Sequence, residues 1–430
     1  MALTKVTYSM ISGSPINVFD YGATGNGTTD DTAAIQAAFN AATTLTGATV
    51  VFPAGNYLIT STLTLPRSAH ITGATRRGVG NPPSAIAGSG IYANFAGPAM
   101  QAVESTVTSY DLTISHLQIR GNKAVYPSGN GLQFTKIADI TLASLVVSNF
   151  GGSNIALSSG YNATVQNIYC AQSGGVNFYI DQEKVSILNC QSDAGTYAVQ
   201  GTALAADMLI SNGCFFEGAS IAGVIVSGQR TRISDSVINQ TFGGIGIIAG
   251  LPGVRLDVGT GVMVLGEGTA ASTTGISLQD DIEYDLVGCT CGGFQTALSL
   301  ASGAGSVIGG QYEGAITGAS VTASGFSSVS ILGAYISGAT NSLLHNAGNA
   351  AQYIGCTFAD ATGVYKAPTI TSGTPAVLSL NGSNVLQMST GAMSFPAASL
   401  VVAGGSGTGV VTAGAADSGG VGFRMLRIPN

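Results

Sequence analysis

VQNIYC (165–170), ILNCQS (187–192), ISNGCF (210–215) and ISDSVI (233–238) are four hexapeptides of one design. Each opens on an aliphatic residue and carries a small polar residue third, at Asn167, Asn189, Asn212 and Asp235. LVGCTC (286–291), VIGGQY (307–312), ILGAYI (331–336) and YIGCTF (353–358) repeat the design with Gly288, Gly309, Gly333 and Gly355 in that place. The steps between these anchors are 22, 23 and 23, then 53, then 21, 24 and 22. Earlier copies, ISHLQI (114–119) and LASLVV (142–147), anchor at His116 and Ser144. Between anchors runs a second apolar stretch, such as GLQF (131–134), VNFYI (176–180), GVIVS (223–227) or TALSL (296–300). A unit of short strands and tight turns, too small to bury its own face, must lean on its neighbours. Stacked many times, it makes a parallel β-solenoid with coils about 4.8 Å apart. The 53-residue gap has room for two coils with a few residues over.

Composition fits a solenoid with few surface charges. Only 8% of the 430 residues are charged, where about 25% is usual, and 62 are glycine. Hydropathy is positive, yet there is no run of about 18 apolar residues, so the chain is expected to be soluble without membrane insertion. A net charge of −7 with 14 thinly spread basic residues argues against nucleic-acid binding. Six cysteines and three histidines offer no zinc spacing. Cys190, Cys289 and Cys356 directly follow an anchor, a stacked inward position that suits a reduced thiol acting as a small hydrophobe.

NVFDYGATGNGTTDDTAAIQAAFNAA (17–42), followed by GATVVFPAGNYLIT (47–60), resembles the start of the pectate-lyase-like right-handed β-helix proteins, in particular bacteriophage tailspikes and capsule depolymerases. DSGGVGFRMLRIPN (417–430) resembles a short ending found on phage tail proteins. The resemblance implies a homotrimer at the virion tail, bound to a tail or baseplate protein. It would bind and cleave a bacterial capsular polysaccharide or O-antigen. The cap motif begins about seventeen residues into the chain, so attachment is expected through another protein, or the chain is a shortened form. The expected fold is all-β: a right-handed single-stranded parallel β-helix over 46–365. An N-terminal segment and capping helix over 1–45 would precede it, and a small C-terminal β module over 366–430 would mediate trimerisation. Asp30 or Asp31 can cap the helix, whose Ile35, Ala38 and Phe39 would plug the first coil. GATGNG looks only loosely like a phosphate loop, because alternating βαβ units do not follow it. Asp417-Ser418-Gly419-Gly420 looks like a serine-protease box but lacks a matching histidine context.

The 21 acidic residues carry the candidate chemistry. Glycoside cleavage uses two carboxyl groups, about 5–5.5 Å apart for retention and about 6.5–9.5 Å for inversion. Adjacent or alternate coils can supply either spacing. Four or five residues past the anchors stand Gln172, Asp193, Glu217, Asn239, Glu313, Ser337 and Asp360. Asp193 and Glu217 fall on successive coils, and we assign Glu217 as proton donor and Asp193 as base or nucleophile. Five residues before the anchors stand Asp111, Asp139, Asn162, Lys184, Asp207, Arg230 and then Glu283, a ladder that reads as surface ion pairs. Asp181 with Glu183, and Asp280, Asp281, Glu283 and Asp285, are acidic turns that could instead hold the catalytic pair, or Ca²⁺. No cofactor is expected otherwise.

Polygalacturonase-like relatives share Asn-Thr-Asp and Gly-His-Gly motifs, both absent here, which argues against pectin hydrolysis. A polysaccharide lyase with Arg230 as base, one coil beyond Glu217, stays an alternative, as does a non-catalytic receptor-binding spike. In a chain without tryptophan, Tyr169, Tyr179, Tyr197 and Phe215 or Phe216 are the candidate sugar-stacking rings.

Overall fold

The computed structural model describes residues 14–75, 88–241, 243–251, 253–267, 272–279, 281–322, 328–346, 351–362, 369–372 and 377–380. Every strand pairing among them is parallel and joins one coil to the next. Most of the module expected over 366–430, including the closing DSGG stretch, lies outside the described residues, as does Asp280. Within that module, Thr369–Ser372 pairs in parallel with Asn341–Asn346, and Val377–Leu380 with Ala351–Ala359, so the ladder runs on past residue 365. No helix among the described residues is long and apolar enough to cross a membrane.

One coil shows the plan. Residues 155–158 lie on a first sheet, and residues 163–166 of the same strand, Ile155–Gln166, lie on a second. Tyr169–Ala171 lies on a third. Left-handed backbone makes the corners. Ser159 (φ +57°) and Asn162 (φ +59°) divide the first sheet from the second, and Asn167 (φ +54°) divides the second from the third. All ten anchors share this conformation, from His116 at +55° to Gly355 at +64°. Asparagine and glycine tolerate it best, which explains the small polar third residue of each hexapeptide. Asp111, Asp139, Asn162, Lys184 and Asp207 are also left-handed, so this ladder too is a row of corners. It carries polar rungs: Asn162 donates to Asp139 at 2.6 Å, and Arg230 pairs with Asp207 at 2.9 Å.

The 53-residue gap holds two coils, with Arg230, Arg255 and Glu283 in register. Their extra residues lie between strands, notably between Gly244–Ala249 and Arg255–Val258 and between Met263–Gly266 and Ser272–Leu278. Inside the second sheet, aliphatic side chains stack coil on coil: Val165, Ile187, Ile210, Ile233, Val258 and Leu286. All six cysteines are free and buried, and burial pushes their thiols up.

The helix Thr32–Thr43 buries Ile35, Ala38, Phe39 and Ala42 over the first coil. Phe39 meets Phe52 edge-on at 6.1 Å, and Phe52 meets Tyr57 at 5.3 Å. Asp31 holds the N-cap position, yet its side chain makes no capping bond. Its carboxylate turns back into the glycine-rich stretch and accepts from Thr24 N (2.7 Å), Thr24 Oγ1 (3.1 Å) and Gly25 N (3.0 Å). Asp30 serves the helix start instead, accepting from Thr32 N at 3.0 Å. The glycine turn does aim its amides at an anion, and that anion is the chain's own Asp31, 1% exposed.

Candidate active site

The third sheet runs through Val146–Ser148, Tyr169–Ala171, Gln191–Asp193, Phe215–Glu217, Val237–Gln240 and Met263–Gly266. Side chains alternate faces along a strand. Cys170, Ser192, Phe216 and Ile238 point inward and are buried, so Tyr169, Gln191, Phe215 and Val237 form one outward row. Asp193, Glu217, Asn239 and Leu265 form the other, which the buried Ala171 precedes in register. Gln191 pairs with Phe215 and Ser192 with Phe216; one residue further along the same register, Asp193 and Glu217 are equivalent positions on successive coils, about 4.8 Å apart along the stack, and both are half-buried. Ala194 (φ +49°) and Gly218 (φ +67°) turn the chain directly after them, which sets both carboxylates at the sheet's rim.

Asp193 stands four residues past its anchor and Glu217 five, because Asn212 and Gly213 are both left-handed and that corner is one residue longer. Gln172 and Asp360 fall out of the row for a related reason. Gln172 is itself a left-handed corner, and Ala359 takes the register position opposite Ser337. Glu313 and Ser337 stay in the row, with Leu265 and Gly292 between Asn239 and Glu313.

Tyr169 joins the pair from the preceding coil. Its phenol is hydrogen-bonded to Asp193, and burial, then the charges of Asp193 and Glu217, push it up to about 12. The phenol thus stays a hydrogen-bond donor beside two carboxylates. From sequence Tyr169 was expected only as a stacking ring; its place two residues before Ala171, the register partner of Asp193, becomes visible once the register is fixed. Phe215 is the half-exposed ring of its pair, and Phe216 is core.

The other candidates lie elsewhere. Asp181 sits on the first sheet opposite Ser158 and accepts from the Thr202 hydroxyl. Glu183 is exposed at the next corner opposite Tyr161, with the buried Gln182 between the two acids. Arg230 opens a second-sheet strand and pairs with Asp207, and the whole first-sheet strand Ala219–Val226 separates it from Glu217. Next to it is a charge network that the sequence did not reveal. Arg232 pairs with Asp257 (3.5 Å), and Arg255 pairs with Asp257 (3.0 Å), Glu283 (3.5 Å) and Asp285 (2.7 Å). The charges of Asp257 raise the Arg255 guanidinium further above its usual range. Among the described residues, no group of three or more His, Cys, Asp or Glu is placed to hold a metal ion.

Residues 15–225 match the model of the rhamnogalacturonase A/epimerase, pectate lyase-like family. Over 65 residues the chain is 48% identical to mannuronan C5-epimerase AlgE2 of Azotobacter vinelandii, covering 14% of this chain and 6% of that one. Over 183 residues it is 31% identical to the capsule K30/K69-specific depolymerase 1 of Klebsiella phage K5-2, covering 38% of this chain and 22% of that one. The chain thus spans less than a quarter of either relative. Among solved structures, the Dettilon tailspike protein superposes with a TM-score of 0.55 at 14% identity, covering 83% of this chain and 68% of that chain. The catalytic unit of an α-1,3-glucanase from Streptomyces thermodiastaticus does so with 0.54 at 12% identity, covering 83% and 72%. Identities this low establish a common fold.

Proposed function

We propose, from the match of residues 15–225 to the rhamnogalacturonase A/epimerase, pectate lyase-like family, that the chain is a phage tailspike-type depolymerase that hydrolyses a bacterial capsule or O-antigen glycan. The observation that carries this reading is the outward pair Asp193 and Glu217 on successive coils, with Tyr169 beside it. A spacing of about one strand separation fits the retaining geometry better than the inverting one. Glu217 would protonate the leaving oxygen as Asp193 attacks the anomeric carbon. Water, deprotonated by Glu217, would then release the sugar. Tyr169 would hold the attacking carboxylate in place. Arg230 is tied to Asp207 on another sheet, which leaves a lyase with an arginine base without support at this pair.

The protein would work as a homotrimer carried at the virion tail through a tail or baseplate protein. Val287, Ile308, Leu332 and Ile354 form an outward apolar stripe in register on four coils, a face that suits packing against other subunits. Light scattering should then give a mass close to three times 42.8 kDa.

Incubation with purified capsules and O-antigens from a host panel tests the activity. New reducing ends without the ultraviolet absorbance of unsaturated uronates are expected. Glu217→Gln and Asp193→Asn should each slow cleavage roughly 10²–10⁴-fold, with unchanged melting temperature. If both variants cut normally, the site lies elsewhere; if glycans bind and none is cut, the protein is a receptor-binding spike.

A further inference from the structure

We propose that the glycan segment held at the Asp193–Glu217 face is uncharged, built of neutral hexoses, deoxyhexoses or N-acetylated sugars and not of uronates or other acidic sugars. The inference rests on the depolymerase reading of this face and concerns what the face can recognise. Between residues 137 and 283 the chain has four cationic side chains, Lys184, Arg230, Arg232 and Arg255, and no histidine. None is on the third sheet, whose strands from Val146–Ser148 to Met263–Gly266 carry no Lys, Arg or His. The first-sheet strands across the rim, Gly195–Gly201, Ala219–Val226 and Gly244–Ala249, carry none either.

The three arginines sit on the second sheet, and each has an acidic partner of this chain: Arg230 with Asp207, Arg232 with Asp257, and Arg255 with Asp257, Glu283 and Asp285. Lys184 stands at the corner between first and second sheets. Arg120 shares the row of Asp193, but three coils earlier, on the order of 14 Å away. The face itself offers Tyr169, Gln191, Phe215, Val237, Asn239, Met263 and Leu265. Rings and aliphatic carbons suit the C–H faces of sugars, and amides and a phenol suit hydroxyl or acetamido groups.

An acidic sugar here would lie beside two carboxylates with no counter-charge, so its carboxylate would lose water without a cationic partner. The same reasoning bears on the reaction. β-Elimination, like C5 epimerisation, removes the proton on the carbon that bears the uronate carboxylate, a step that a cation at that carboxylate favours most strongly. A Ca²⁺ bridge to a uronate would find only Asp193 and Glu217 as acidic ligands on this face. Hydrolysis needs no sugar carboxylate. The glycosidic C–O bond breaks, the leaving oxygen takes a proton, and water supplies the hydroxyl at the anomeric carbon.

The test uses an array of purified neutral and acidic capsular and O-antigen polysaccharides, each acidic one also printed after carboxyl reduction. Full-length Glu217→Gln protein is applied in EDTA and again in Ca²⁺. Binding is expected to neutral glycans, or to acidic ones no more weakly after reduction, and to be indifferent to Ca²⁺. Binding confined to acidic glycans and lost roughly tenfold or more on carboxyl reduction, as for a missing charge-assisted contact, overturns the inference. A Ca²⁺ requirement, or unsaturated products from the wild-type protein, does the same. Neutral glycans bound but left uncut by the wild type would end the depolymerase reading while sustaining the neutral-glycan inference. Failure to bind any glycan overturns both.

Discussion

At Gly309, Gly333 and Gly355 a Cβ would meet no atom within 4 Å, yet the backbone stands at φ +63°, +63° and +64°. The cost of a side chain there is conformational and not steric. Gly333→Ala should lower stability by about 1–2 kcal/mol, and Gly333→Asn by clearly less, because asparagine tolerates the left-handed region. Denaturant unfolding of both variants checks this, and equal losses would point to an unseen packing role. The sequence displayed these positions as a polar or glycine third residue, but the hydrophobic pattern around them carries no information about φ. For the same reason Gln172 and Asp360 were aligned one position out. A corner residue and a strand residue look alike when counted from an anchor, and only hydrogen-bond register separates them.

The capping helix and the turn before it form the next scale. Asp31 satisfies two backbone amides and a hydroxyl from a nearly water-free position. Asp31→Ala leaves those donors buried and should cost roughly 2–4 kcal/mol, concentrated at the N-terminal end. Hydrogen exchange should quicken in Ala48–Phe52 and Gly55–Ile59 and leave Val176–Leu188 protected; a uniform change would mean that the cap and the coils unfold as one unit. The amphipathic face of this helix was legible, since Ile35, Ala38 and Phe39 are spaced for it. The roles of Asp30 and Asp31 were not, because two adjacent carboxylates at a helix start look interchangeable until the glycine turn folds back on one. The Arg255 network was hidden differently. Apart from Arg255–Asp257 on one strand, its ion pairs join residues 25 to 30 apart, where the 23-residue rhythm breaks. Arg255 is 41% exposed along its side chain, so Arg255→Gln should cost under about 1 kcal/mol, a loss that shrinks further in high salt.

The whole molecule has a pH dependence set by its interior. Burial raises the phenols of Tyr57, Tyr169, Tyr284, Tyr312 and Tyr353 and all six thiols. A raised acid keeps its proton in the folded chain when the unfolded chain has already lost it. Its stabilisation is therefore complete below the unfolded value, 9.0 for the thiols and 10.0 for the phenols, and fades above it. Thermal melts should be insensitive to these groups below about pH 8 and fall steeply once the thiols, then the phenols, ionise in the unfolded chain. A melting temperature that holds steady through that range would show that the interior opens to water without unfolding. At this scale the sequence was most informative. A unit repeated a dozen times averages out local ambiguity, whereas the candidate site rests on three side chains, and a one-residue slip in register would scatter them.

The corners have one more consequence. Coils of unequal length keep the same strand register because the surplus residues lie between strands, so an insertion widens the molecule without lengthening it. Axial reach is set by the number of coils, and lateral grip by what each corner carries. A lineage of such proteins can therefore swap the loops that face a new surface while preserving the pitch at which successive sugars meet successive rungs.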